Sequence, residues 1–298
     1  MLPGVTAQHQ CRRPGSLTSV SVALVTDSTA YLNPEQVTRS DVSVVPVQVI
    51  IEGAVFAEGL DISSAEIADA MRSNKQVSTS RPTPAQFAEA YDRLAGQGAQ
   101  AIVSVHLSSE MSGTCDAARF AAKQAAVPVQ VVDSRTIAMG MGFAVLDAAA
   151  AAQRGAEQEQ VAAVAEDSAA RSHVYFYVDS LVYLQRGGRI GSAQRLVGTA
   201  LAMKPILHVA DGRVEPLEKV RTRNRAITRL EDLAVADASL APSRIAVSHL
   251  DAGATAGDLA DRLRSRLPDT PVEIGEVGAV VGAHVGPGMV SVTVSPQP

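Results

Sequence analysis

Residues 20–36 read VSVALVTDSTAYLNPEQ, and their order decides the fold class. Val20–Thr26 is a short run of β-branched and aliphatic residues, which suits a strand. A polar tip, Asp27-Ser28-Thr29, follows it. Asn33-Pro34-Glu35-Gln36 then signals a helix start, with a capping side chain three residues before a glutamine and proline at the first helical position. Strand, polar turn and capped helix, in that order, open an α/β unit.

The rhythm continues outward. Strands are predicted at Val42–Ile51, Ala101–Leu107 and Val127–Val132, and their nearly continuous Val and Ile content implies helices on both faces. Ser63-Ser64-Ala65-Glu66 and Thr83-Pro84-Ala85-Gln86 repeat the cap signal. Helices are expected over Asp116–Ala125, Gly142–Arg154 and Gln158–Arg171. This gives a Rossmann-like domain with a parallel sheet over residues 20–160, preceded by a disordered extension at residues 1–19. The pattern then changes. A strand at Val174–Val178 and a helical segment at Arg189–Leu201 lead to Pro205–Val209 and Val214–Val220, joined across Asp211-Gly212 as a β-hairpin. Helices near Asn224–Ala236 and Thr255–Leu267, with strands at Arg244–His249, Val272–Val277 and Met289–Val294, complete an α+β sandwich domain over residues 161–298. The fold class is therefore α/β with two domains, and the cleft between them is where a ligand is expected.

Composition narrows the function. Of 298 residues, 46% are hydrophobic but only 3% aromatic, with no Trp. Such aliphatic content suits the lining of an aliphatic tunnel better than the stacking of bases or sugars, although an Ala-rich composition alone would produce it too. The formal net charge of -5 argues against nucleic acid as a partner. Cys11 and Cys115 form no CxxC pair, so neither a disulfide framework nor a structural zinc site is expected. His9, His106, His173, His208 and His249 show no metal-ligand spacing. No apolar run near the start is long enough for a signal peptide, and a cytoplasmic monomer is expected.

Four segments place small polar groups at a strand end or helix start, where α/β folds collect ligands. They are Thr26–Thr29, Ser78–Pro84, Leu107–Thr114 and Gly282–Gly288. Together with the run Tyr183–Ile190, they carry a resemblance to the DegV family: V-T-D-S-T, T-S-x-P, L-S-S-x-x-S-G-T, Y-L-x-R-G-G-R-I and H-x-G-P-G occur in order over about residues 20–296. The resemblance implies a protein that holds one long-chain fatty acid, such as palmitate, stearate or oleate, and presents its carboxylate to a separate fatty acid kinase that makes the acyl phosphate. It implies no cofactor and no enzymatic turnover by the chain itself. It assigns the carboxylate to the hydroxyls of Ser80, with Thr79 beside it, and Ser112, with His284 as a third polar group. Asp27, Ser28, Gly113 and Thr114 would support these loops. Arg189 and Arg221 would stand near the mouth for the partner or a phosphate, and transient contact with a membrane surface is allowed.

Elementary chemistry is compatible with that assignment. Ser112-Gly113-Thr114 precedes a helix, so a carboxylate there would meet the positive end of its dipole. Hydroxyl donors hold an anion without the lock of a bidentate ion pair. Ser112 could equally be an ordinary helix cap, His284 a core histidine and Cys115 a small packing residue. The basic runs Arg186, Arg189, Arg195, Lys204 and Lys219, Arg221, Arg223, Arg225 could be solvated faces or a docking face. A serine hydrolase using Ser112 and His284 is the rival enzyme reading, weakened by the lack of a GxSxG elbow and of an assignable acid. A dinucleotide enzyme lacks its GxGxxG. A lipid-sensing regulator is a further alternative.

Overall fold

The computed structural model describes residues 21–196 and 203–297. The proposed extension at residues 1–19 and the end of the segment Arg189–Leu201 lie outside them. In the first half the elements run β1 (Val22–Asp27), α1 (Pro34–Ser40), β2 (Val42–Val45), β3 (Gln48–Ile51), β4 (Ala54–Ala57), α2 (Ser64–Arg72), β5 (Val77–Ser80), α3 (Pro84–Gly96), β6 (Ala101–His106), α4 (Thr114–Ala122), β7 (Val129–Asp133), α5 (Met139–Gln153) and α6 (Gln158–Arg171). The second half continues with β8 (His173–Tyr177), α7 (Val182–Arg186), β9 (Lys204–Ala210), β10 (Arg213–Val220), α8 (Arg223–Ala238), β11 (Ser243–His249), α9 (Gly253–Arg266), β12 (Val272–Glu276), α10 (Ala279–Val285) and β13 (Val290–Pro296).

The first sheet is parallel, in the order β2-β1-β6-β7. Its strands alternate between two buried layers. Leu24, Val103 and Val105 pack with Met141, Val145, Val161 and Ala165 of α5 and α6. Their neighbours Val25 and Ile102 pack with Phe87, Tyr91, Ala117 and Ala118 of α3 and α4. Both faces are covered, as continuous apolar strands require. Each of the three cap signals becomes a reciprocal capping box, at Asn33 and Gln36, Ser63 and Glu66, and Thr83 and Gln86.

The second sheet is mixed, in the order β10-β9-β8-β13-β11-β12. Tyr177, Ile206, Ile245 and Val247 face α8 and α9. Phe176, Leu207 and Val214 face the other way, into a core shared with Val49, Ile67 and Met71 of the first half. That shared core encloses the candidate site. We propose the division near residue 160 because the strands of the parallel sheet precede it and those of the mixed sheet follow it; it runs through α6, which packs on the first sheet.

Several expectations need correction. The single strand predicted over Val42–Ile51 is two strands in different sheets, separated at Pro46, which has no N–H to carry a ladder onward. β3 instead joins β4 and β5 in a small antiparallel sheet that the sequence reading missed. The described part of the segment after Arg189 is a 3-10 turn over Gly191–Leu196. The helix expected at Asp116–Ala125 starts earlier, at Thr114, with Gly113 as its cap. Helices α7 and α10 were not foreseen.

Candidate ligand site

A cavity of about 330 Å³ lies between the two halves, within the size range of small-molecule sites. Most of its wall is apolar: Val47, Leu107, Ile137 and Ala138 from the first half, and Val174, Phe176, Leu184, Val209, Val214, Val280, Val281 and Met289 from the second. Its polar lining comprises Thr79, Ser80, Arg81, Ser112, Gly113, Arg189, His284 and Ser291. Three separate elements supply the Thr79, Ser80, Ser112 and His284 groups, and β13 adds the Ser291 hydroxyl. β5 ends in Thr79 and Ser80, the β6–α4 loop carries Ser112, and α10 carries His284. Thr79 Oγ1 and His284 Nε2 lie 2.9 Å apart, although 205 positions separate them in the chain.

His284 is a neutral imidazole in this setting. Burial, aided by the Arg189 guanidinium, pushes its pKa down to about 4. Its Nδ1 is buried and has no hydrogen-bond partner. The ring lies against Gly187, where a Cβ would stand 2.0 Å from Nδ1. Ser112 Oγ sits 2.8 Å from Thr114 Oγ1 and accepts the Thr114 N–H at 3.3 Å, while Gly113 caps α4 without a side chain. Thr114 itself is fully buried behind the wall. The side chain of Arg81 lies over Gly113, within 2.3 Å of where a Cβ would be.

Asp27 and Ser28 stand behind the cavity wall. Asp27 is buried at the end of β1 and accepts the Leu107 N–H at 3.1 Å, which fixes the start of the Ser112 loop. It also meets His106 Nδ1 at 3.0 Å, and His106 Nε2 lies 2.7 Å from Ser104 Oγ, to which Tyr91 donates at 2.9 Å. This Asp-His-Ser chain resembles a catalytic relay but is wholly buried, so it acts as a lock between β1 and β6. Ser28 Oγ accepts from the N–H of Val47, a wall residue, and donates to Glu58 at 2.5 Å.

Arg189 reaches the cavity, donating from Nε to the Met111 carbonyl at 3.0 Å and from Nη1 to the Gly187 carbonyl at 2.7 Å. Arg221 does not. It follows the end of β10 opposite Val214, roughly 20 Å along the strand from that wall residue, and is exposed. Cys115 is buried, and burial pushes its thiol up to about 12, which fits packing rather than reactivity. Among the described residues no cluster of His, Cys, Asp or Glu is arranged to hold a metal, and no helix is long and apolar enough to cross a membrane. Sequence reasoning missed Arg81, which stands at the variable position of T-S-x-P, and the aliphatic wall, whose residues are scattered along the chain.

The arrangement provides neutral donors beside an apolar chamber. It does not assemble a Ser-His-acid relay: His284 Nε2 is engaged by Thr79, and Nδ1 meets no carboxylate. A family model for the DegV family, described as uncharacterised proteins, matches residues 21–297. A DegV domain-containing protein of Streptomyces coelicolor is 52% identical, over 92% of this chain and 98% of the relative. Among solved structures, a Thermus thermophilus DegV family protein described as binding fatty acid has a TM-score of 0.87 at 34% identity, covering 93% of this chain and 100% of that one. Bacillus subtilis DegV, described as a fatty acid binding protein, also has a TM-score of 0.87, at 32% identity, over 94% of this chain and 100% of its own.

Proposed function

The chain belongs to the DegV family, and from that premise we propose that it binds one long-chain fatty acid and presents the carboxylate to a partner fatty acid kinase, which forms the acyl phosphate. The observation that carries the reading is the cavity itself, an aliphatic chamber with hydroxyls and a neutral imidazole in its lining. Each buried methylene contributes about 0.8 kcal/mol, so chain burial supplies most of the affinity. Ser80, Ser112 and the Thr79–His284 pair hold the carboxylate with neutral groups, the pair sharing one hydrogen bond so that His284 Nε2–H donating to Thr79 Oγ1 frees the Thr79 hydroxyl for the ligand. No side chain among these four forms a bidentate ion pair with the ligand, so the anion remains reactive toward a phosphoryl donor. The chain itself turns nothing over.

Asp27, Ser28, Gly113 and Thr114 support the loops of this head-group site. Arg189, exposed on the cavity rim, is the contact for partner or phosphate, and Arg81 is a second cation beside it. Arg221 would reach only a partner that covers the far end of the β9–β10 hairpin.

Denaturing mass spectrometry of organic extracts from freshly purified protein should find a long-chain fatty acid near one per chain. Ser112→Ala should weaken rebinding to the delipidated protein by roughly tenfold to a hundredfold, the worth of one buried donor of about 1–3 kcal/mol. Extracts free of fatty acid from several expression hosts, or full affinity in folded Ser112→Ala, would remove the basis of the reading.

A further inference from the structure

α10 carries His284 to the site, yet its first turn is not held by its own half of the molecule. Glu58, which follows β4 in the first half, accepts the Val280 N–H at 2.7 Å across a separation of 222 positions. Tyr31, also of the first half, accepts the Val281 N–H at 3.1 Å through its hydroxyl and donates that hydroxyl to Glu58 at 3.2 Å. Ser28 donates to the other carboxylate oxygen at 2.5 Å. Glu58 is only 5% exposed, so its carboxyl oxygens are engaged here rather than by water. Gly278 makes the approach possible, since a Cβ there would stand 2.4 Å from Glu58 Oε1. Downstream, the helix packs closely on α2 at Gly282, where a Cβ would be 3.2 Å from Ile67.

The first N–H groups of a helix have no partner within it, and Glu58 and Tyr31 supply the acceptors that they need. Val280 and His284 are one turn apart, roughly 6 Å along the axis, so the hold at one end fixes the height and rotation of the other. The two ends of α10 are thus tied to the first half independently, by Glu58 and Tyr31 at the start and by the Thr79 contact at His284.

We propose that Glu58 is a positioning residue for the fatty-acid head group, seating the first turn of α10 so that His284 reaches across to Thr79. Tyr31 shares the task. The proposal rests on the head-group reading above. It adds that a residue outside the cavity lining sets the affinity for the carboxylate.

The test measures displacement of a fluorescent long-chain fatty acid from delipidated wild type, Glu58→Ala, Glu58→Gln, Tyr31→Phe, His284→Ala and Glu58→Ala/His284→Ala. Glu58→Ala should weaken binding by roughly tenfold, and adding His284→Ala should cost less than about twofold more, because the imidazole is already misplaced. Glu58→Gln should recover most of the affinity. Its carbonyl can accept from Val280 and Tyr31, and its amide can donate to Ser28. The His284 imidazole resonances should move in Glu58→Ala and return in Glu58→Gln, which a general loss of stability would not produce. If Glu58→Ala fails to fold, Tyr31→Phe, which keeps the ring, should show a smaller loss in the same direction. Full affinity in folded Glu58→Ala or Tyr31→Phe, or losses from Glu58→Ala and His284→Ala that multiply, would overturn the proposal. Wild-type affinity in His284→Ala would instead sink the head-group reading beneath it.

Discussion

The glycine pair Gly187-Gly188 shows how one motif can serve two physical needs. Gly187 has φ of −75°, which any residue adopts, but its missing side chain is where the His284 imidazole lies. Gly188 has φ of +68° and open space around it. Its need is conformational. The two can therefore be separated by alanine. Gly187→Ala should leave the backbone at ease and displace the imidazole, lowering fatty-acid affinity by roughly the value of the His284 contact, about tenfold. Gly188→Ala should cost about 1–2 kcal/mol of stability through the left-handed backbone while leaving affinity near wild type. Displacement titration and urea unfolding of both variants decide this, and equal effects on the two readouts would refute the division. Sequence alone could place R-G-G-R-I in a motif; it could not say that the first glycine answers to a histidine almost a hundred positions away.

Elements with local signals were legible and those defined by distant partners were not. Asn33, Ser63 and Thr83 each announced a helix through chemistry confined to four residues, and all three capping boxes form. β5 could not be read this way, because Val77-Ser78-Thr79-Ser80 has little apolar alternation and becomes a strand by pairing with β3. The β3–β4 hairpin turns at Glu52-Gly53, both with positive φ, and Glu is an uncommon residue for that conformation. α10 reads as a glycine-bearing, valine-rich stretch of low helix propensity, and its helix is secured by Glu58 and α2. The two hydroxyl segments and the histidine were legible as candidates; their convergence was not. The same dependence on tertiary partners governs α5, which is apolar nearly all round. Its buried Asp147 meets Arg244 of β11 at 2.5 Å, and the guanidinium lies 4.4 Å over the Phe143 ring. Arg244→Ala should therefore destabilise by about 3–5 kcal/mol, because it leaves a buried carboxylate with Ser168 as its remaining partner. Asp147→Ala in the same chain should restore part of that loss in urea unfolding, and a fully additive double mutant would show that the pair is not coupled.

At the scale of the whole molecule, the two halves meet through groups whose ionisation opposes burial in opposite senses. Burial raises Glu58 from 4.5 to about 7, with Asp27 adding to the rise and its hydrogen bonds from Ser28 and Val280 acting against it. Burial lowers His284 from 6.5 to about 4, with Arg189 adding to the fall. Linkage fixes the sign of each contribution. The folded state binds the Glu58 proton more tightly than the unfolded chain does, so this stabilisation is fully present below about pH 4.5 and is lost as pH rises through about 7. The folded state resists the His284 proton, so that stabilisation is present above about pH 6.5 and is lost as pH falls through about 4. Over the shared window, between about pH 4.5 and 6.5, the two slopes oppose one another, each at most about 1.4 kcal/mol per pH unit. Delipidated wild type should accordingly show little pH dependence from this pair. The variants should expose it. The stability of Glu58→Gln minus that of wild type should rise with pH across the window, since the variant no longer loses the Glu58 contribution. The corresponding difference for His284→Gln should fall with pH. Urea unfolding at several pH values between 4.5 and 8 measures both differences, with contributions common to all three proteins cancelling. Flat differences, or slopes of the same sign, would show that these two groups do not titrate against each other across the junction.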